Sequence, residues 1–247
     1  MSDSLVIIPT YSEKENIEKM IRKVFSLSVP FHVLIVDDGS PDGTADIVKN
    51  LQREFSDKLF LEERKGKQGL GTAYIHGFNW ALQRMPALIG VEGYEYIFEM
   101  DADFSHNPED LIRLRDACMK GADVAVGSRY VNGGSVKNWD RKRILLSFCA
   151  SLYTRTVLLI PVRDTTAGFK CYRRRVLEAI NFEKINFTGY AFQIEMKYTA
   201  HKLGFKVVEV PITFKDRTEG VSKMSMGIFK EAFWGVLQMK FKKIARK

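Results

Sequence analysis

Asp101-Ala102-Asp103 follows directly on the apolar run Tyr96-Ile97-Phe98-Glu99-Met100. Two carboxylates two residues apart at the end of a strand offer hard oxygen ligands. That chemistry suits Mg²⁺ or Mn²⁺, which keep water and meet substrate phosphates. The same spacing can also cap a turn, so its neighbours matter. Asp37-Asp38-Gly39-Ser40-Pro41-Asp42-Gly43-Thr44 is the second cluster. A tight turn and a helix cap account for Asp42 or Thr44. They do not account for two successive aspartates at the mouth of a sheet, where a base or ribose could be hydrogen-bonded. Pro9-Thr10-Tyr11-Ser12-Glu13 adds a flat ring and a carboxylate. Lys65-Gly66-Lys67-Gln68-Gly69-Leu70-Gly71 has the residues of a phosphate site at a helix start, but it lacks Gly-Lys-Ser/Thr, which disfavours P-loop hydrolysis.

The elements needed to position these clusters are legible in the hydrophobic pattern. Short apolar runs at Leu5–Ile8, Val33–Val36, Leu59–Leu61, Tyr94–Met100 and Ala122–Val126 read as strands. Helical spacing marks Glu13–Ser26, Thr44–Phe55, Leu70–Leu82 and Pro108–Met119 between them. Strands alternating with crossover helices predict an α/β fold, a mainly parallel sheet with helices on both faces. Ligands of such sheets collect at the carboxyl ends of the strands. The polar clusters follow Ile8, Val36, Met100 and Val126, at those ends. Beyond about residue 130 the pattern loosens into a basic-apolar helix (Asp140–Ile160), a helix near Phe192–Leu203 and a strand at Val207–Val210. A chain of 247 residues is then one domain with accessory segments. The expected division is 1–225 for the body, including an amphipathic segment at 138–160, and 226–247 for a basic C-terminal helix.

Charge is local. Ile228–Lys247 carries net +5 and Lys137–Arg143 net +3, together the whole formal charge of +8. A confined basic excess implies a local anionic partner. No finger, helix-turn-helix or RNP-type pattern accompanies it, which speaks against nucleic acid. Arg143 is followed by eleven uncharged residues, Ile144–Thr154, and then Arg155. That is too short for a membrane span of about 20 residues, so the segment is expected to lie along a membrane. Near the C-terminus Phe229, Phe233, Val236, Leu237, Phe241 and Ile244 recur at helical spacing among lysines, the pattern of an interfacial amphipathic helix; a helix packed on its own domain is the alternative. Three cysteines, 31 and 22 residues apart, fit no zinc pattern and suit a reducing compartment. The N-terminus has no basic stretch before its short apolar run, so no signal peptide is expected.

Together the clusters resemble the GT-A glycosyltransferases of family 2, and more closely the dolichol- or polyprenol-phosphate mannosyltransferases. The resemblance also rests on Gly69-Leu70-Gly71-Thr72-Ala73-Tyr74, Gly127-Ser128-Arg129-Tyr130, Asp216-Arg217 and Ser222-Lys223, and runs from residue 5 to about 225. It implies a Rossmann-like GT-A fold with membrane-interface helices and a Mg²⁺ or Mn²⁺ cofactor. By the same resemblance, Pro9, Tyr11, Glu13, Val36 and Asp38 would hold the nucleoside of GDP-mannose. Asp101, Ala102 and Asp103 would meet its ribose, pyrophosphate and metal. Ser105 stands where many relatives carry a glutamine metal ligand. Arg129, Arg217 and Lys223 would surround the phosphates, while Arg143 and Ser147, with Arg129, match positions that receive the lipid phosphate.

The resulting expectation is inverting transfer of mannose from GDP-mannose to dolichyl or polyprenyl monophosphate at the cytoplasmic face of a membrane, by a peripherally bound enzyme. A phosphate monoester loses its second proton near pH 6, so arginines and a metal suffice where an alcohol acceptor would need a base. Asp164, Gln193 and Glu195 are polar positions in apolar context, expected to orient substrate or back the metal. His106 is expected to start a helix or support structure. The competing assignments are UDP-glucose as donor, a non-catalytic membrane-binding module, and a nucleotidyltransferase; a glycine-rich first loop would mark the last, and this chain has Pro9-Thr10-Tyr11-Ser12-Glu13 instead. Sequence leaves open the need for a partner subunit.

Overall fold

The computed structural model describes residues 2–83, 93–216 and 226–247. The chain begins with a repeating strand–helix unit: β1 (Ser4–Thr10), α1 (Ile17–Phe25), β2 (His32–Asp37), α2 (Thr44–Gln52), β3 (Leu59–Glu63), α3 (Leu70–Gln83), β4 (Tyr96–Glu99), α4 (Asp110–Met119) and β5 (Val124–Ser128). β1 and β2 are buried apolar runs, and β1, β2, β3 and β4 pair in parallel. Their register brings Thr10 beside Asp37 and Ile7 beside Glu99. The loops after β1, β2 and β4 therefore open at one edge of the sheet, where the polar clusters begin.

The second half departs from the regular unit. β6 (Ser135–Lys137) leads into α5 (Arg141–Leu158), then β7 (Lys170–Arg173), α6 (Arg174–Ala179), α7 (Tyr190–Lys202), β8 (Val207–Pro211), β9 (Thr213–Lys215) and α8 (Met226–Phe241). The main sheet has the order β3-β2-β1-β4-β7-β5-β8. β7 inserts antiparallel between β4 and β5. It is missed by hydrophobic pattern because Lys170-Cys171-Tyr172-Arg173 shows no apolar run. β6 and β9 form a separate two-stranded parallel ribbon that carries the chain across the mouth of the sheet.

Two apolar layers cover the sheet. One joins α3, α6 and α7 through residues such as Tyr74, Phe78 and Phe192; the other joins α1, α2 and α4 through Met20, Val48 and Leu114. A third cluster packs α8 on α5 and α7, with Val236 and Met239 buried against Ile194, Tyr198 and Leu158. The C-terminal segment thus belongs to the same body. α8 stops at Phe241, so Lys242, Lys243, Ile244, Arg246 and Lys247 lie beyond the helix expected to carry them. Lys242 pairs with the buried Glu195 (Nζ–Oε1 3.0 Å), and Asn181 N–H donates to the Ala245 carbonyl at 2.9 Å.

α5 is poorly covered. Leu145, Leu152 and Leu159, seven residues apart, are 63%, 49% and 75% exposed, with Phe148 and Leu146 beside them. Phe233, Trp234 and Phe241 of α8 are exposed as well. Cys149 is exposed on α5, whereas Cys118 and Cys171 are buried. No helix among the described residues is long and apolar enough to cross a membrane.

Candidate active site

A cavity of about 430 Å³ opens at the carboxyl ends of the parallel strands. Pro9, Tyr11, Glu13, Asp38, Asp101, Ala102, Asp103, Ser105, Arg129, Arg143 and Ser147 all line it. Val36 does not: it is fully buried in the core, because its position on β2 turns the side chain into the layer beneath α3. Arg217 and Lys223 lie outside the described residues.

The two successive aspartates at the end of β2 have different tasks. Asp37 closes its own turn, accepting from Thr10 Oγ1 (2.8 Å), Ser40 N (2.8 Å) and Ser40 Oγ (2.6 Å). Asp42 accepts from the backbone N–H of Thr44 and of Lys14. Asp38 reaches the cavity, and Arg64 from the end of β3 holds it there, with Nε 2.7 Å from Oδ1. Arg64 Nη1 also donates to Thr72 Oγ1 at 2.9 Å, tying the start of α3 to the same carboxylate. Lys67 sits 5.1 Å over the Tyr11 ring. The expected phosphate cradle at α3 is weakened by one observation: the Gly71 N–H donates to the Thr188 carbonyl (2.8 Å).

Beyond β4 the chain turns sharply. Phe104 adopts φ +58°, uncommon for a residue with a side chain, and the turn returns Ser105 N–H to Asp103 Oδ1 at 3.0 Å. The Asp101 side chain is 37% exposed, with Tyr74 OH donating to its Oδ1 at 3.3 Å. Asp103 lies deeper, 7% exposed. The Ser105 hydroxyl is buried with no hydrogen-bond partner among the described residues. Two carboxylates and that orphaned hydroxyl make a hard-oxygen donor set. It fits a cation that completes its shell with water and ligand oxygens, and no third His, Cys, Asp or Glu joins them among the described residues.

His106 is structural here. The Asp101 N–H donates to its Nδ1 at 3.2 Å, and the ring stacks on Phe169 (4.8 Å between centroids). Burial lowers its pKa to about 4, so the ring is neutral near pH 7.

Arg129 is anchored rather than loose. Its backbone N–H and Nε donate to Asp164 Oδ2 (2.9 and 2.7 Å), and Nη2 donates to Oδ1 (2.7 Å) and to Thr166 Oγ1 (2.8 Å). Tyr130, Trp139 and Phe214 each place a ring within 5.4 Å of its guanidinium carbon. Burial alone would raise the Asp164 pKa, but the adjacent guanidinium holds it below the usual carboxylate range. Arg143, in the first turn of α5, lies 4.0 Å over the Trp139 ring and donates from Nη1 to Asp216 Oδ2 at 2.8 Å.

A buried polar floor underlies the site. Glu99 on β4 receives Tyr172 OH (2.8 Å), Gln193 Nε2 (2.9 Å) and the ammonium of Lys170 (3.0 Å). Gln193 also accepts from Lys170 and lines the cavity. Glu195, two residues on, faces the opposite way and accepts from the N–H groups of Asn186 and Phe187. Positions i and i+2 of a helix do not share a face, so only Gln193 belongs to the site. Lys197 is fully buried and donates to the Ala167 carbonyl (2.7 Å), bracing the segment that carries Thr166 and Gly168 along the cavity wall.

The family model for glycosyl transferase family 2 matches residues 5–180, which include this constellation through the carboxylates, Arg129 and Asp164. The chain belongs to glycosyltransferase family 2. Among curated family members, polyprenol monophosphomannose synthase of Mycolicibacterium smegmatis is 47% identical over 238 residues, covering 94% of this chain and 87% of that protein. Undecaprenyl-phosphate mannosyltransferase of Micrococcus luteus is 43% identical over 237 residues, covering 94% and 93%. The fold is the GT-A fold. A solved glucosyl-3-phosphoglycerate synthase from Mycobacterium tuberculosis, in complex with Mn²⁺, UDP and glucosyl-3-phosphoglycerate, superposes with TM-score 0.66 at 15% identity, covering 97% of this chain and 80% of that one. A mannosyltransferase from Pyrobaculum calidifontis, with GDP-Man and Mn²⁺, gives TM-score 0.58 at 19% identity over 97% and 63%.

In this glycosyltransferase, sequence reading overlooked Arg64, Trp139, Glu99 and Lys170. Glu99 had a visible signal, a carboxylate inside an apolar strand. The others lie in ordinary polar stretches and gain meaning only from neighbours distant in sequence.

Proposed function

We propose that this enzyme transfers mannose from GDP-mannose to a polyprenyl monophosphate. The observation that carries the assignment is one cavity bounded by a carboxylate pair on one side and two arginines on the other, with the exposed apolar face of α5 adjoining it through Leu146, Ser147 and Ala150. The two curated relatives named for polyprenol and undecaprenyl-phosphate mannosyl transfer support the acceptor and sugar. The Pyrobaculum complex supports the donor and a divalent cation.

In that role Tyr11, Glu13 and Asp38 bind the nucleoside, and Arg64 fixes the rotamer of Asp38. Asp101, Asp103 and Ser105 are the residues that would hold Mg²⁺ or Mn²⁺, whose bound charge neutralises the departing nucleoside diphosphate. The acceptor oxygen needs no base, since a phosphate monoester is already dianionic above about pH 6. Asp164 is fully buried and engaged by Arg129, which removes it as a general base. The Nε and Nη2 of Arg129 hold Asp164, so Arg129 acts on the phosphates chiefly as fixed positive charge. Ser147 and Arg143 face the acceptor phosphate, one turn apart on α5. Displacement at the anomeric carbon from the face opposite the diphosphate gives the β-linked product.

Arrival of the acceptor from a bilayer agrees with the exposed leucines of α5 and the aromatics of α8. The chain then acts peripherally, at the membrane face where nucleotide sugar is available. Incubation of the full chain with radiolabelled GDP-mannose tests the assignment. Label must enter the organic phase only when polyprenyl phosphate and a divalent metal are both present; label transferred from UDP-glucose instead, or none at all, refutes it.

A further inference from the structure

We propose that Trp139 is a positioning residue for acceptor transfer, holding Arg143 and Arg129 at one indole so that both face the acceptor phosphate. This rests on the assignment of a polyprenyl monophosphate acceptor. Local sequence sets the ring. Asn138 takes φ +66°, a left-handed conformation that Asn tolerates, and turns the chain out of β6. Asp140 then caps α5, its Oδ1 accepting from the Arg143 N–H at 2.8 Å. That cap closes the first helical turn, and the Arg143 side chain lies back over the residue preceding the cap. The guanidinium carbon comes to rest 4.0 Å from the Trp139 ring centroid.

The same ring lies 5.4 Å from the guanidinium carbon of Arg129 and meets Phe214 edge-on at 5.3 Å. Both arginines line the cavity, as does Trp139 itself. Two like charges gathered at one wall repel each other, and their carboxylate partners, Asp164 and Asp216, come from different parts of the chain. An aromatic face attracts both cations without taking up the donors needed by an anion. The indole N–H is buried and has no hydrogen-bond partner among the described residues. Both arginine contacts are made by the ring face, which phenylalanine reproduces in part.

The experiment measures donor affinity by calorimetry and acceptor kinetics with farnesyl phosphate and a long-chain polyprenyl phosphate, using the full chain. Variants are Trp139→Phe, Trp139→Leu and Trp139→Met. Loss of the π face is expected to raise the acceptor KM about tenfold in the Leu and Met variants, since one desolvated cation–π contact carries about that factor. GDP-mannose affinity stays at the wild-type value, because Asp164 and Thr166 hold Arg129 in place without the indole whereas Arg143 depends on it more closely, and Phe restores most of the loss. The rise is equal for short and long acceptors, because the effect is at the phosphate. Met nearly matches Phe in size, so equal behaviour of those two variants would make Trp139 a space filler and overturn the proposal. An unchanged acceptor KM in Leu or Met, or a parallel loss of donor affinity, overturns it too. Should Leu yield unfolded protein, Met against Phe decides alone. A wild-type enzyme inactive on both acceptors defeats the underlying assignment instead, a result distinct from any variant's.

Discussion

Asp164 and Arg129 are joined by three hydrogen bonds, one through the backbone N–H and two through the guanidinium, with Asp164 wholly removed from solvent. The pair fixes both the course of the strand end after β5 and the direction of a cation at the cavity wall. Removing one partner of a buried pair costs about 3–5 kcal/mol, because the other is left uncompensated.

Asp164→Asn should therefore lower both thermal stability and turnover. As Asp164 is held below the usual carboxylate range, its stabilising effect is complete above about pH 4, the unfolded value, and declines as pH falls through the folded one. Between pH 6 and 8 the variant's loss of kcat should be constant. A loss that varies with pH in that window would point to Asp164 as a general base instead.

Asp103→Asn should abolish Mn²⁺-dependent binding of GDP-mannose, measured by calorimetry with and without EDTA. Ser105→Ala removes a weaker donor, and metal affinity should fall by about 10–100-fold, the range for supporting groups around a metal. Wild-type metal affinity in both variants would place the cation elsewhere.

His106 contributes to the response to mild acid. Its pKa of about 4 in the fold lies below the unfolded value of about 6.5. Below pH 6.5 the unfolded chain takes up a proton that the folded protein refuses, so stability from this site is full above 6.5 and declines as pH drops toward 4. Urea unfolding at pH 7 and pH 5 should show wild type losing about 2 kcal/mol more than His106→Gln. Equal losses would mean that the ring titrates normally.

Much of this site is legible from sequence, because the clusters at the ends of β1, β2 and β4 are local in the chain and the parallel sheet needs only apolar runs separated by helices. β7 escapes that logic. Its direction and place between β4 and β5 depend on pairing of Lys170 with Glu99, residues 71 positions apart, and no local pattern announces a buried lysine. The end of α8 is missed for a related reason: helical spacing continues to Ile244, but the pairing of Lys242 with Glu195 and the bond from Asn181 to Ala245 favour an extended strap.

That strap changes how membrane contact must be tested. Deleting residues 229–247 would strip Val236 and Met239 from the core. Leu145→Glu with Leu152→Glu leaves the core intact. Sedimentation with anionic vesicles should show binding weakened by at least tenfold, since each side chain buried in lipid contributes roughly 1.5–3 kcal/mol. Turnover of a water-soluble acceptor should persist. Undiminished vesicle binding would assign the exposed α5 stripe another partner.

The unequal burial of the three cysteines makes the native protein its own reporter. Cys118 and Cys171 are shielded by the sheet, while Cys149 stands on the exposed part of α5. A polarity-sensitive maleimide dye should label that single thiol without mutagenesis, and its emission would report in real time whether this helix meets an added bilayer and, if it does, to what depth.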